Sequence, residues 1–267
     1  MRFTLPRARP WWRAAAAGVL LGLMTGSAFA QPSPGQPTPG FSQDLPEADF
    51  LFGRPRAVLG LRGSLFLPRE GSDLFEFVQD QLTIDRGDFR AFAFTADVAV
   101  PVSSRLDVVG GVDLSRRVIA SEYRDFVDNQ LLPIEQESQL RQNGIFASLR
   151  LALAPRGRQV GRFAWIPARV QPYVGVGGGL VFWEFRQTGD FVDFADFGVF
   201  ADTFRASGTA PAAHVLGGLD IVAYKRLMLS VDGRYQWARG ELSEDFVGFE
   251  PLDLSGFRAA VGISIAF

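Results

Sequence analysis

The residues of this chain whose types and spacing could support chemistry are ten charged or imidazole side chains. They alternate with apolar residues, so in extended strands they would all fall on the face opposite the apolar one. They are Arg62, Asp97, Asp107, Asp113, Arg150, His214, Asp220, Asp232, Arg234 and Arg258. Because opposite charges interdigitate along this face, we predict a structural network of ion pairs. A gated path for ions or protons is the alternative.

Catalysis is a weaker interpretation of the same residues. His214 is the only histidine, and a histidine base needs a nucleophile and an orienting acid beside it. Ser148, Ser230 and Ser264 share its face, but the spacing does not place them next to it. The chain has no cysteine, and one histidine cannot form a histidine-rich metal centre. We therefore predict no enzyme activity, no catalytic residues, no metal site and no cofactor.

A second pattern lies in four polar connections, each of which contains an acid followed by Phe-Val. The acidic and aromatic residues of these motifs are Glu76 and Phe77, Asp125 and Phe126, Asp190 and Phe191, and Asp245 and Phe246. Phenylalanines pack favourably on one another, whereas carboxylates favour water. The hypothesis is a loop collar in which the rings pack together and the carboxylates face outward. The alternative is four solvated, mobile loops of similar composition.

Eight segments must position these residues, and the last segment is the most informative. From Phe257 to Phe267 every second residue is apolar, which predicts a strand with one apolar face. The eight segments span residues 57–65, 91–100, 106–115, 145–153, 169–186, 214–221, 227–237 and 257–267. Connections after the first, third, fifth and seventh are long and the others shorter, which is typical of outer-membrane barrels. The predicted fold is all-β: an eight-stranded antiparallel up-and-down transmembrane β-barrel with four long external loops.

The composition of the second face indicates which face points outward. The alternative, a secreted soluble barrel, would carry many hydrophilic residues on its outer face. Here the second face is Gly, Ala and Ser with a few Asp and Arg, which suits a narrow interior. The apolar face ends in aromatic residues that would form girdles at the membrane surfaces, namely Phe92, Phe182, Tyr235, Trp237, Phe257 and Phe267.

The N-terminal residues predict export. Basic residues precede an apolar run and Ala28-Phe29-Ala30, as in a secretory signal peptide that is cleaved. We assign residues 1–30 to the signal peptide, 31–54 to a Pro-rich periplasmic linker, and 55–267 to the barrel. The expected location is the cell outer membrane.

The charge distribution indicates the partners. The net charge of −2 argues against nucleic acid. Acids concentrate in the long connections, whereas the short connections and their flanks carry basic residues and no acid. The predicted partners are outer-membrane lipids, including lipopolysaccharide, which would reach the acidic loops through divalent cations. We expect a monomer.

The signal peptide, the eight alternating segments, the Pro172-Tyr173-Val174-Gly175 strand opening and the Phe267 ending together carry a family likeness. In these features residues 55–267 resemble the small outer-membrane β-barrel domain family, around the transmembrane domain of outer membrane protein A. That family includes adhesins, structural proteins, small channels and a few lipid-modifying enzymes. We expect a side-chain-filled lumen and a structural or surface-interaction role. A small channel for a narrow class of solutes is the first alternative, and a lipid-modifying enzyme is the second.

Overall fold

The computed structural model describes residues 51–242 and 244–267. The predicted signal peptide and most of the predicted linker lie outside these residues. The described chain forms β1 (Leu51–Phe52), β2 (Val58–Pro68), α1 (Asp73–Gln81), β3 (Ala91–Pro101), β4 (Leu106–Val127), β5 (Pro133–Ala152), β6 (Gly157–Val160), β7 (Ala164–Pro167), β8 (Val170–Val192), β9 (Val199–Tyr224), β10 (Leu227–Gly240), β11 (Leu252–Asp253) and β12 (Gly256–Ala266). None of the helices in the described residues is long and apolar enough to cross a membrane.

Eight of these strands close into a ring of antiparallel pairs. The order is β10-β12-β2-β3-β4-β5-β8-β9, and β9 pairs with β10 to complete the circle. The predicted eight-stranded up-and-down barrel is therefore confirmed. We call the end with residues 69–90, 128–132, 193–198 and 241–255 the loop end, and the opposite end the turn end.

The strand register determines the tilt of the barrel. Paired residues followed once around the ring lead from Leu219 to Thr209 on the same strand, a stagger of ten residues. At about 3.3 Å per residue and about 4.8 Å between strands, eight strands with this stagger tilt by roughly 40°. Inward side chains from distant strands consequently lie at the same height.

The two faces of the wall differ as predicted. Outward aliphatic residues are widely exposed, as Leu61, Val176 and Val261 illustrate at 55%, 57% and 61%. The predicted girdle residues Phe92, Phe182, Trp237, Phe257 and Phe267 are exposed as well, and Tyr235 is partly exposed. The inward face holds buried polar and small residues over the same heights.

Four strands are longer than the sequence pattern predicts. β4 with β5 and β8 with β9 continue as two tall hairpins, so that only residues 128–132 and 193–198 connect them. Beyond Leu114 and Phe182 most outward residues are polar or charged, while inward positions include Gln136 and Ser138. The contrast between the two faces therefore fades, although the backbone pairing continues.

The remaining connections have structure of their own. Residues 69–90 include helix α1, whose Leu74, Phe75 and Val78 are buried. Residues 241–255 include a 3-10 turn and β11, which pairs with β10. At the turn end, β1, β7 and β6 form a separate three-stranded sheet.

Candidate functional site: an ion-pair network beneath an apolar core

The inward faces of the barrel strands gather the predicted charges into three groups. Every one of the ten predicted residues is buried or partly buried, because strand parity points it into the lumen. Seven of the eight barrel strands contribute one or two of them and β8 contributes none, and the tilt brings non-neighbouring strands together. The placement of the ten side chains agrees with the predicted face, but their partners were not evident from the sequence.

The first group centres on Arg62 of β2. It forms ion pairs with Asp97 of β3 and with Asp232 of β10, the latter at 2.9 Å between Nε and Oδ2. The second group centres on Arg150 of β5, which donates to Asp107 at 3.0 Å and to Asp220 at 3.2 Å. The Arg150 guanidinium also lies 4.6 Å from the ring centre of Tyr173.

The third group centres on Asp113 of β4. Its carboxylate pairs with Arg234 and, at 3.0 Å, with Arg258, and it accepts a 2.6 Å hydrogen bond from Thr95 Oγ1. Arg234 stacks on Phe146, with 4.6 Å between guanidinium carbon and ring centre. One carboxylate thus forms ion pairs with two buried guanidinium groups.

Sequence reasoning missed a further member, Arg156. This residue lies after β5 in the connection at the turn end, where no alternation marks a direction for its side chain. Its guanidinium forms an ion pair with Asp107, on the side of the second group that faces the turn end. The basic composition of residues 155–168 was the only available signal.

His214 has a neighbour that the sequence analysis did not expect. Its Nε2 lies 2.8 Å from Ser148 Oγ, so the statement that nothing places a serine beside it was wrong. Gly177 makes room for the ring, since a Cβ at this position would lie 2.6 Å from His214 Nε2. Both side chains are 3% exposed, and no described carboxylate hydrogen-bonds the histidine. The pair lacks the access and the orienting acid that a hydrolase requires.

The space left between the groups is small. A cavity of about 40 Å³ lies among Arg62, Asp97, Arg150, Asp232 and Arg234, with room for a few water molecules. The described residues contain no cluster of three or more His, Cys, Asp or Glu side chains suited to a metal ion.

Toward the loop end the interior changes from ionic to apolar. Phe75 of α1, Phe89 and Phe185 of β8 are almost fully buried, and their ring centres lie 5.0–6.5 Å apart. Phe246 joins them through Phe185 at 5.5 Å. Helix α1 and residues 241–255 therefore form an apolar core above the ion pairs.

The predicted loop collar is partly connected through intermediate rings. Phe77 contacts Phe249 at 5.6 Å, and Phe249 contacts Phe246 at 6.5 Å. Phe204 links Phe246 to Phe191, at 6.5 and 4.5 Å.

Phe126 packs elsewhere, on Phe194 and Phe197 of the neighbouring hairpin. Within the described residues, none of the four motif rings contacts another motif ring directly. The carboxylates of Glu76, Asp125, Asp190 and Asp245 are exposed, and Asp245 accepts a hydrogen bond from the Arg205 amide at 2.9 Å.

Glu70 fastens the first connection at the loop end. Its carboxylate accepts from the Gly87 amide and from Gln79 Nε2, each at 3.1 Å, and the residue is 2% exposed. Burial raises the pKa of this carboxyl, while the Gly87 hydrogen bond and the charge of Arg86 act in the opposite direction. Its backbone has a φ of +54°, in the left-handed region.

Comparison with known proteins gives likenesses of fold alone. No family model and no curated protein matches the chain. Three similar solved structures are OprG of Pseudomonas aeruginosa, Neisserial surface protein A, and Ail, the attachment invasion locus protein of Yersinia pestis.

OprG is 10% identical, with 83% of this chain and 99% of that one covered and a TM-score of 0.44. Neisserial surface protein A is 13% identical, with 82% of this chain and 98% of that one covered and a TM-score of 0.42. Ail is 12% identical, with 81% of this chain and 100% of that one covered and a TM-score of 0.38. OprG is an outer-membrane protein by name and Neisserial surface protein A a surface protein by name. The eight-stranded architecture of this chain is established by its own strand pairings.

Proposed function

We propose that this protein is an outer-membrane β-barrel with a closed lumen, and that it acts through its external surface in a structural or surface-interaction role. The exposed apolar belt supports membrane insertion, because a soluble protein would not leave so many aliphatic side chains in water. Aromatic residues at both edges of the belt fit the two membrane surfaces. The loop end, which carries the acidic connections, faces outward in this proposal.

The filled interior is the observation that carries the proposal of a closed barrel. Ion pairs occupy the lumen at the height of the belt, and the Phe75, Phe185 and Phe246 core covers them at the loop end. An ion crossing this path would have to displace both layers. The outer surface is then the part of the molecule available for interaction.

Single-channel recording in planar bilayers tests the closed lumen. We expect no regular unit conductance from the wild-type protein. The matched variant replaces Arg62 and Asp97 together by alanine, which enlarges the cavity and leaves the net charge of the lumen unchanged. A stable wild-type conductance equal to that of the variant would refute the closed barrel.

Shortening the hairpin tips tests the surface role. Residues 128–132 and 193–198 would be replaced by two-residue turns, and the ring of strands below them is retained. We expect reduced cell adhesion or envelope integrity with unchanged barrel content in the membrane. Unchanged adhesion and integrity in this variant would contradict a role of the hairpin tips.

A further inference from the structure

On each of five barrel strands, an arginine occupies an outward-facing position just beyond the apolar belt. These residues share the parity of the belt residues and are all exposed; they are Arg69, Arg90, Arg116, Arg141 and Arg239. Arg69, Arg90, Arg116 and Arg239 lie two residues from the outermost belt position of their strand, as Arg116 does from Leu114, and Arg141 lies four residues from Ile145. We call these five residues the arginine ring.

The register places the arginine ring at one height. In a barrel tilted by roughly 40°, each step to the next strand raises a paired row by about 3 Å, and each residue along a strand adds about 2.5 Å. With these increments the five positions fall within about 4 Å of one another along the barrel axis. The ring therefore lies just beyond the aromatic girdle residues Phe92 and Trp237 and level with Phe182.

Two members of the ring are direct cross-strand neighbours. Arg116 of β4 is paired with Arg141 of β5, and like charges in this position repel. Both guanidinium groups donate to neutral amides: Arg116 to Gln139 Oε1 at 2.6 Å, and Arg141 to Asn143 Oδ1 at 2.9 Å in the amide orientation that satisfies both groups.

A nearby arginine pair shows how the chain neutralises such a contact internally. Arg186 and Arg205 are also cross-strand partners, and Glu184 bridges them at 3.0 and 2.7 Å. No carboxylate of the described residues forms an ion pair with Arg116 or Arg141. Glu184 is also the cross-strand partner of Arg141, but its two oxygens pair with Arg186 and Arg205, so the lower arginine pair offers an anion site that the upper pair has filled.

We propose that the arginine ring, centred on Arg116 and Arg141, binds the phosphate groups of lipid A in the outer leaflet. Guanidinium groups recognise phosphate through paired N–H donors. A lipid source is favoured because the belt residues Leu114 and Ile145 lie below the pair and can contact acyl chains. This inference rests on the proposed membrane insertion. It predicts direct contact between arginine and lipid phosphate at the edge of the belt, in place of the contact between acidic loops and lipopolysaccharide through divalent cations.

Native mass spectrometry of protein in phosphatidylcholine nanodiscs tests the proposal. The probes are bisphosphorylated lipid A, the same lipid without its phosphates, and phosphatidylglycerol, with inorganic phosphate as competitor. The test variant is Arg116→Gln with Arg141→Gln. The control variant is Arg105→Gln with Arg169→Gln, two exposed arginines at the turn end.

We expect the wild type and the control to retain bisphosphorylated lipid A in preference to the other two lipids. At roughly fivefold per arginine near a charged headgroup, the test variant should lose about 25-fold in affinity. Equal retention without phosphates, equal retention of phosphatidylglycerol, complete competition by inorganic phosphate, or an unchanged test variant would each overturn the proposal. Heat-dependent gel mobility and protection of the barrel from protease report insertion separately, so a wild-type protein that inserts but does not retain bisphosphorylated lipid A refutes only this inference.

Discussion

Replacement of Asp113 by asparagine is the most direct test of the ion-pair network. The Asp113 carboxylate is the shared partner of Arg234 and Arg258, whose side chains are 7% and 6% exposed. Asparagine keeps nearly the same volume and can still accept from Thr95, so the change removes charge rather than packing. Two buried guanidinium groups are then left without their anion, which costs about 3–5 kcal/mol.

A second substitution separates charge balance from local damage. Arg258→Met alone leaves Asp113 paired with Arg234, so its cost should be small. Adding Arg258→Met to Asp113→Asn removes one of the two orphaned cations. The double variant should therefore be more stable than the sum of the single effects by about 2 kcal/mol.

Urea unfolding of the folded barrel in detergent micelles, followed by tryptophan fluorescence, measures these differences. With a slope of about 2 kcal/mol/M, the Asp113→Asn midpoint should fall by roughly 2 M. The exposed Asp125→Asn serves as control and should unfold with the wild type. A midpoint for Asp113→Asn indistinguishable from the control would refute the reasoning that these charges depend on one another.

Two further predictions concern the loop end. Phe246→Ala should destabilise the apolar core by about 3–5 kcal/mol and make residues 241–255 accessible to protease. The control Phe194→Ala, at a site that is 50% exposed, should change little. Equal cleavage of both variants would contradict the existence of this core. The raised pKa of Glu70 means that the folded state binds its proton more tightly than the unfolded chain, so its contribution is complete below the ordinary pKa of 4.5 and is lost as the pH rises through the raised value. Hydrogen exchange of residues 70–90, corrected for intrinsic rates, should show protection that decreases from pH 4 to pH 7 in the wild type but not in Glu70→Gln, and the same decrease in both proteins would exclude Glu70 as the cause.

The barrel was predictable because its interior and exterior impose opposite chemistry on alternate residues. The same alternation failed at the loop end, where outward Glu137 and inward Gln136 are both polar. Strand pairing continues there through backbone hydrogen bonds, which leave no trace in side-chain polarity. Helix α1 was missed for a different reason: its apolar residues Leu74, Phe75 and Val78 span one turn within an acidic connection.

The lumen residues were predictable, but their partners were not. Arg150 meets Asp220 across 70 residues of sequence, because both the strand order and the ten-residue stagger bring β5 and β9 together. Parity gives the direction of a side chain and carries no information on its height. The arginine ring could have been found from parity alone, since each member continues the outward stripe of its strand beyond the belt, but its common height requires the register.

The seam between β2 and β12 has a kinetic consequence. Its residue pairs, from Pro68–Gly256 to Val58–Ala266, are separated by 188 to 208 positions. Contacts of such long range form slowly, because the entropy of the intervening chain must be lost before they contribute. Refolding should therefore pass through an open sheet in which the edge strands β2 and β12 are still unpaired. Whether this intermediate closes into the ring or aggregates should depend on the protein concentration.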